Sequence, residues 1–346
     1  MENKVYIFKI DINWDLIGLI SKIDRFDASW SSIEKREGQS LKQLKSISTV
    51  RSVGASTRIE GSKMSDAEVD VLLKNIDITK LEDRDSQEVV GYFDTLDIIT
   101  ESYQDINITE SSIKNLHNIL LKHSKKDSWH KGDYKQHSNA VEANYPDGTK
   151  RIIFETTEAG FPTEDAMRSL FKWYKTDKET HPLVKCASFC YEFVSIHPFQ
   201  DGNGRLSRLM ASLLLLKNGY KWIQYVSFEH EIESKKEEYY RVLRNCQSQR
   251  PNENITEWIS FFFNSLLNIQ NQLLQKLESS GLQSQLSPKE KSILTFIGNH
   301  SGCKSGDIAK KLDIPNPTVK RILSNLIERN LIEKHGNGPG TNYSLK

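Results

Sequence analysis

The chain has 346 residues, enough for two or three domains that each bury their own core. Its 47 basic and 46 acidic residues nearly cancel to a formal net charge of +1, which excludes a strong whole-molecule attraction to nucleic acid or to an anionic membrane. The opening Met1-Glu2-Asn3-Lys4 lacks the basic-then-apolar layout of a signal peptide, and no apolar run reaches membrane-spanning length, so the expectation is a soluble, cytoplasmic protein.

In chain order, residues 30–50 are polar with scattered apolar positions and predict a surface helix. Over residues 65–81 and 87–103 the apolar side chains recur at three and four, as amphipathic helices require, and another such helix is expected over residues 111–123. The texture changes between His137 and Phe161. Two extended stretches, residues 140–145 and 151–155, flank Pro146-Asp147-Gly148, in which proline fixes one dihedral and glycine frees another; a short β-hairpin is predicted. Helices resume over residues 163–176, 182–196, 206–217, 232–247 and 255 to about 277. Cys186 and Cys190 fall four apart in one of these apolar runs, with no second pair to complete a zinc pattern, and read as packed, reduced thiols. Ser279-Ser280-Gly281-Leu282-Gln283-Ser284-Gln285 is small, polar and uncharged, the composition of a flexible linker.

Residues 287–346 differ in charge: ten basic against five acidic, leaving the first 286 residues at net −4. The near-neutral total therefore conceals a basic tail. Its pattern predicts a winged helix-turn-helix. Helices are expected over residues 288–299 (capped by Ser287), 304–312 and from Asn316, and a wing over residues 331–334 and 343–345. Thr318, Lys320 and Arg321 near the start of the third helix are candidate DNA contacts, although such domains also serve protein docking and dimerisation.

The densest chemistry lies in Ser195-Ile196-His197-Pro198-Phe199-Gln200-Asp201-Gly202-Asn203-Gly204-Arg205-Leu206-Ser207-Arg208. Pro198 disfavours helical geometry at His197, so the imidazole should stand where a helix gives way to a loop. Gly202 and Gly204 let the backbone turn and approach a ligand closely. The helix after them begins with free N–H groups suited to a phosphate. Asp201 offers a hard oxygen for Mg²⁺, and Arg205 and Arg208, three apart, project from one turn. Each alone is commonplace: a capping histidine, a glycine turn, two solvated arginines. A base, a carboxylate, an anion nest and two arginines within twelve residues are not.

The segment from His197 to Arg208 resembles the Fic-family motif His-x-Phe-x-(Asp/Glu)-Gly-Asn-Gly-Arg-x-x-Arg at every defined position, and the flanking chain is similar over about residues 45–275. The resemblance implies a mainly α protein. A Fic helical fold with a short β-hairpin flap would be joined to the winged helix, with an N-terminal helical region (1–110), a catalytic core (111–278), a linker (279–286) and the winged helix-turn-helix (287–346). It further implies AMP transfer from Mg-ATP to a Ser, Thr or Tyr hydroxyl of a target protein, itself included. His197 would be the general base, Phe199 the buried anchor of the loop, and Asp201 the Mg²⁺ ligand. Gly202, Asn203 and Gly204 would cradle the phosphates, and Arg205 and Arg208 would neutralise them and the departing pyrophosphate. Phosphate-transferring relatives carry Lys where Asn203 stands, which favours nucleotidyl transfer. Tyr239 and Tyr240 would border the adenine, or else pack in the core. The hairpin, through Asn144, Tyr145, Ile152 and Ile153, would pair with an extended stretch of the target.

Ser56-Thr57-Arg58-Ile59-Glu60-Gly61 resembles the family's inhibitory motif. It implies that Glu60 pairs with Arg208, with Ser56 steadying the helix and Gly61 ending it, so that ATP enters in an unproductive pose. Three other activities would use the same groups: transfer from another nucleotide donor, removal of AMP from a modified protein, or nucleotide sensing that controls the tail on DNA. A toxin with a separate antitoxin fits less well, because the brake lies in the same chain. A homodimer would couple release of the brake to protein concentration.

Overall fold

The computed structural model describes residues 8–144, 150–284, 286–329 and 331–346. The chain divides into two compact units, Met1–Asn271 and Gln272–Lys346.

The first unit opens with α1 (Trp14–Arg36), started by Asn13, whose side chain accepts from the Leu16 N–H at 2.8 Å. Next comes α2 (Gly38–Ile59). The surface helix expected over residues 30–50 is thus the end of one helix and the start of another. It is not merely superficial, since Trp30, Ile33, Leu41 and Leu44 are buried. The apolar residues are few, but their spacing gathers them onto inward faces. The single helix expected over residues 65–81 is shorter: α3 (Asp66–Lys74) starts in a Ser65–Glu68 capping box and stops at Asn75, and a 3-10 turn (Ile78–Lys80) begins where Asp77 offers a competing cap. Then follow α4 (Arg84–Ser102) and α5 (Glu110–Leu120). Gly91 lets these two approach, because a Cβ there would collide with the Leu120 carbonyl.

The predicted hairpin forms from β1 (Ala140–Asn144) and β2 (Lys150–Glu155), antiparallel, with Ala140 opposite Glu155 and Asn144 opposite Lys150. Its Pro146-Asp147-Gly148 turn and Tyr145 lie outside the described residues.

After α6 (Phe161–Thr176) come α7 (Pro182–Ile196) and α8 (Asn203–Lys217), which pack on each other at the centre of the unit. Residues 186–196 and 205–216 are buried without exception. Cys186, Cys190 and Cys246 are buried free thiols. A 3-10 turn (Lys221–Tyr225) leads to α9 (Phe228–Ser234) and α10 (Lys236–Gln247), where one helix over residues 232–247 was expected. Ser227 caps α9 early, and Lys235 (φ −118°, ψ 30°) interrupts the run. The last helix, α11 (Thr256–Ser284), corrects the linker: six of the seven residues from 279 to 285 continue the helix, and Gln285 lies outside the described residues. The composition is flexible in isolation, yet Leu, Gln and Ser tolerate a helix already nucleated upstream.

The second unit holds α12 (Pro288–Asn299), α13 (Ser305–Leu312), α14 (Asn316–Glu328) and the antiparallel pair β3 (Ile332–His335) and β4 (Asn342–Leu345). Ser287 caps α12 as expected. A core of Ile293, Ile297, Ile308, Val319, Leu323, Leu326, Ile332 and Tyr343 joins these elements, and Tyr343 also bonds to the Cys303 carbonyl at 3.0 Å. This is the predicted winged helix. Among the described residues no helix is long and apolar enough to cross a membrane.

Candidate active site

The site forms where α7 ends and α8 begins. The preference of Pro198 for a non-helical predecessor is met at His197, which terminates α7 in the left-handed region (φ 55°, ψ 59°). That conformation is uncommon for a residue with a Cβ and turns the chain abruptly into the loop. His197 Nδ1 lies 3.3 Å from the Val194 carbonyl. A carbonyl only accepts, so Nδ1 carries the proton and Nε2 keeps its lone pair. Burial, aided by the Lys135 charge, pushes the His197 pKa down to about 4, leaving a neutral imidazole at pH 7.

The loop is pinned from several sides. Phe199 is wholly buried and stacks on His117 with ring centroids 3.8 Å apart. Gly132 N–H donates to His117 Nδ1 at 2.9 Å, which fixes the other nitrogen as donor to the Asp201 carbonyl at 3.0 Å. Burial lowers the His117 pKa to about 4, so this tautomer is neutral too. Gly202 caps α8 at φ 80°, and a Cβ there would press on the His117 ring.

The Asn203 side chain is engaged inside the loop: Oδ1 accepts from Phe199 N at 2.9 Å and Nδ2 donates to Phe199 O at 2.7 Å. A buried amide satisfied twice by one backbone residue is a loop staple. Only the backbone of Asn203, with that of Gly204 and Arg205, remains to offer N–H groups at the head of α8.

Arg205 is 1 % exposed, its guanidinium 3.3 Å from both Glu88 and Asp201. Its Nε and Nη1 make no hydrogen bond. The Asp201 carboxylate also accepts from Gly202 N. Burial raises its pKa, but Arg205 and the Gly202 bond outweigh that and hold it below the usual range. Among the described residues no group of three His, Cys, Asp or Glu side chains surrounds a metal position. A single ionised carboxylate beside the N-terminus of α8 is nevertheless a donor set that would suit Mg²⁺, which takes its other ligands from phosphates and water.

Arg208 is buried beneath the end of α2. Its Nε donates to Ser56 Oγ at 2.8 Å, while Nη2 donates to the Ser56 carbonyl at 2.9 Å and to Glu60 Oε1 at 2.8 Å. Burial raises the Glu60 carboxyl, yet Arg208 and Arg205 prevail and keep it ionised. Glu60 reaches across the first turn of α8 so closely that a Cβ on Gly204 would run into Oε1. Gly61, at φ 108°, ends the turn beyond α2. Ser56, Glu60, Arg208 and Gly204 thus form one cluster, which contains the Glu60–Arg208 pair that the resemblance implies.

Tyr239 is buried against Tyr240, Trp258 and Phe261, with centroids 5.1 to 6.0 Å apart. Both tyrosine hydroxyls feel the charges of Arg208 and Glu60. Tyr239 is therefore a core residue at the border of the site, and Tyr240, less buried, faces the same charges. Of the hairpin residues, Asn144 lies at the end of β1 and Ile152 on β2 is 60 % exposed, while Ile153 is placed by its backbone in β2. In the other unit, Thr318 is half-buried and Lys320 and Arg321 are exposed on the first turns of α14.

Sequence reasoning missed His117, Glu88, Lys135, Asn139 and Thr156. His117 falls on the buried face of a predicted helix, which was a usable signal. Lys135 and Asn139 precede the hairpin in a stretch without periodicity, and nothing local marks them.

Comparison with known proteins fits this geometry. Residues 107–215 match the Fic/DOC family model and residues 284–340 the MarR family model. Curated relatives named "Protein adenylyltransferase Fic" from Drosophila sechellia and Drosophila melanogaster are each 27% identical over 207 residues. The match covers 58% of this chain but only 39% of each relative. Among solved structures, a Fic family protein from Desulfovibrio desulfuricans G20 superposes with a TM-score of 0.66 at 23% identity, covering 99% of this chain and 98% of that one. A Fic domain containing signaling protein from Bacteroides thetaiotaomicron gives 0.59 at 22% identity, over 75% and 97%. These two share the fold. Residues 107–215 are thus similar to a Fic/DOC-type domain and residues 284–340, after them, to a MarR-type winged-helix domain.

Proposed function

We propose that the protein is an adenylyltransferase that moves AMP from Mg-ATP to a Ser, Thr or Tyr hydroxyl of a protein, and that Glu60 restrains it. The observation that carries this is the cluster at the head of α8. A neutral His197 with a free Nε2 stands one loop away from a helix N-terminus whose arginine is held by Glu60 at 2.8 Å. The names of the curated relatives support the same chemistry.

His197 Nε2 takes the proton of the acceptor hydroxyl as its oxygen attacks the α-phosphorus; the P–O bond to pyrophosphate breaks, and AMP stays on the acceptor. The first N–H groups of α8 and the Arg205 guanidinium, now shared with Glu88 and Asp201, would meet the phosphates. Asp201 would hold Mg²⁺, which when bound neutralises phosphate charge. Arg208 would receive the terminal phosphate, but in this arrangement Glu60 occupies it. The hairpin would align an extended acceptor by strand addition.

The test is incubation of wild type, Glu60→Gly and His197→Ala with α-labelled ATP and Mg²⁺, followed by mass spectrometry for added AMP. The expected outcome is weak labelling of wild type, labelling raised at least about tenfold in Glu60→Gly through recovery of one charge-assisted contact, and none in His197→Ala. Equal labelling of wild type and Glu60→Gly would falsify the restraint.

The MarR-type domain favours a second role alongside the first: residues 288–346 bind DNA or a protein partner, so that the nucleotide state of one unit and the binding state of the other are read from the same chain.

A further inference from the structure

The hairpin is an appendage, and a strand that aligns an acceptor is useful only if it stands at a fixed distance from the base. One buried group connects the two. Lys135 is 2 % exposed, unusual for lysine. Its ammonium donates to Asn139 Oδ1 at 3.0 Å, to Thr156 Oγ1 at 2.8 Å and to the Ile196 carbonyl at 3.2 Å. Three donors meet three acceptors, and among the described residues no carboxylate shares the site, so the charge is held there by dipoles.

The identity of those acceptors gives the arrangement its meaning. Asn139 immediately precedes β1 and Thr156 immediately follows β2, so they are the two roots of the hairpin. Ile196 is the last residue of α7, next to His197. The roots are also tied to each other, Thr156 Oγ1 lying 2.7 Å from the Asn139 carbonyl and 2.6 Å from its Oδ1. They are tied again to the loop, since Asn139 Nδ2 donates to the Phe199 carbonyl at 3.0 Å and the Lys135 N–H to the Pro198 carbonyl at 2.8 Å. Each carbonyl from Ile196 to Phe199 except that of His197 thus accepts a bond from Lys135 or from the hairpin root.

We propose that Lys135 is a positioning residue for the acceptor: its ammonium locks both hairpin roots to the end of α7, and thereby sets the hairpin's register and distance relative to His197. It touches neither nucleotide nor acceptor. Covalent bonds alone leave the hairpin to pivot about residues 139 and 156, and the clamp removes that pivot. The inference rests on the proposed transfer reaction and adds to it the device that aligns the protein substrate.

The consequence separates two reactions of one enzyme. Release of AMP to water needs only the nucleotide, His197 and the anion nest. Transfer to protein needs the hairpin in place as well. The experiment uses full-length chains carrying Glu60→Gly, alone and combined with Lys135→Met, Lys135→Arg or Thr156→Val. Labelled AMP on protein and free AMP are measured from the same α-labelled ATP reaction, with the KM for ATP and the melting temperature. For Lys135→Met the expected result is a fall in protein labelling of about a hundredfold, the order of loss produced by an ångström-scale misplacement. Free AMP release and the KM for ATP should stay within about twofold of the parent, a change too small to signal a damaged nucleotide site. Thr156→Val should show the same selective loss in milder form, and Lys135→Arg, which keeps the charge and the donors, should recover part of it. Hydrogen exchange at residues 140–144 and 150–155 should quicken in Lys135→Met while that of α8 does not.

Equal loss of both products, or loss tracking the melting temperature, would reduce Lys135 to a stability residue and overturn the proposal. So would unchanged labelling with unchanged hairpin exchange. If the Glu60→Gly parent produces neither product, the transferase reading itself fails, a result distinct from any pattern among the Lys135 variants. If the Met variant is too unstable to purify, the Thr156→Val and Lys135→Arg chains decide by the same ratio of products.

Discussion

At His197, surroundings that are individually ordinary fix the tautomer and the charge of one side chain. A left-handed backbone places it at the rim of a buried helix, the Val194 carbonyl selects its tautomer, and burial keeps it neutral with a pKa of about 4. Two pH effects follow. In the Glu60→Gly enzyme, AMP transfer should hold steady as pH falls from 7 toward 5 and drop only near pH 4. An acid limb centred near 6.5 would show instead that the imidazole is solvated. Stability moves differently. The unfolded chain protonates this histidine below about pH 6.5 while the folded chain resists until about 4, so the unfolded state holds more protons in that window. Stability is therefore lost as pH falls through it, by about 1.4 kcal/mol per pH unit for this residue, measurable as a falling urea midpoint.

At the scale of elements, the decisive contact is between the end of α2 and the head of α8, and α2 does not hold that position unaided. Arg58 forms a bidentate pair with Glu233 of α9 at 2.7 and 3.0 Å, reaches Asp66 at 2.9 Å and donates to the Met64 carbonyl. Lys236 at the start of α10 donates to the Ile59 carbonyl at 2.7 Å, satisfying one of the free acceptors at the end of α2. The turn that presents Glu60 is therefore anchored on the side away from Arg208. Glu233→Gln removes the charge of the anchor while leaving the nucleotide groups untouched, and should raise AMP transfer several-fold over wild type, consistent with a partly buried pair worth about 1–2 kcal/mol. In the Glu60→Gly background the same substitution should add nothing, because the restraint it loosens is already gone. An increase of equal size in both backgrounds would place Glu233 in catalysis and not in the restraint.

For the whole molecule, charge is distributed by unit: residues 287–346 carry a net +5 against −4 for the rest. Lys320 and Arg321 are exposed on α14, while Val319 before them and Ile322 and Leu323 after them turn inward. A helix that buries one face and shows two cations on the other suits phosphate contact. Replacing Lys320 and Arg321 by Glu should weaken binding of the full-length protein to a random-sequence duplex and lower the slope of log affinity against log salt by about two, read by fluorescence anisotropy. AMP transfer by that variant should match wild type.

The sequence by itself marked the groups of the candidate site and most of the helices. The twelve residues from His197 to Arg208 are contiguous, so their pattern survives without knowledge of the fold, and periodicity marked α4, α6, α7 and the winged helix to within a few residues. Even the pairing of Glu60 with Arg208, 148 positions apart, was legible through a second contiguous motif. Only the tertiary structure decided what local pattern cannot encode. It made Asn203 a staple, because Phe199 stands within reach of both ends of its amide. It carried α11 through a stretch whose composition suited a linker, because an established helix extends at low cost. And it gave Lys135 its partners, Asn139, Thr156 and Ile196, up to 61 residues away. A buried ammonium is stabilised by acceptors assembled from separate elements, and no window of sequence contains that assembly.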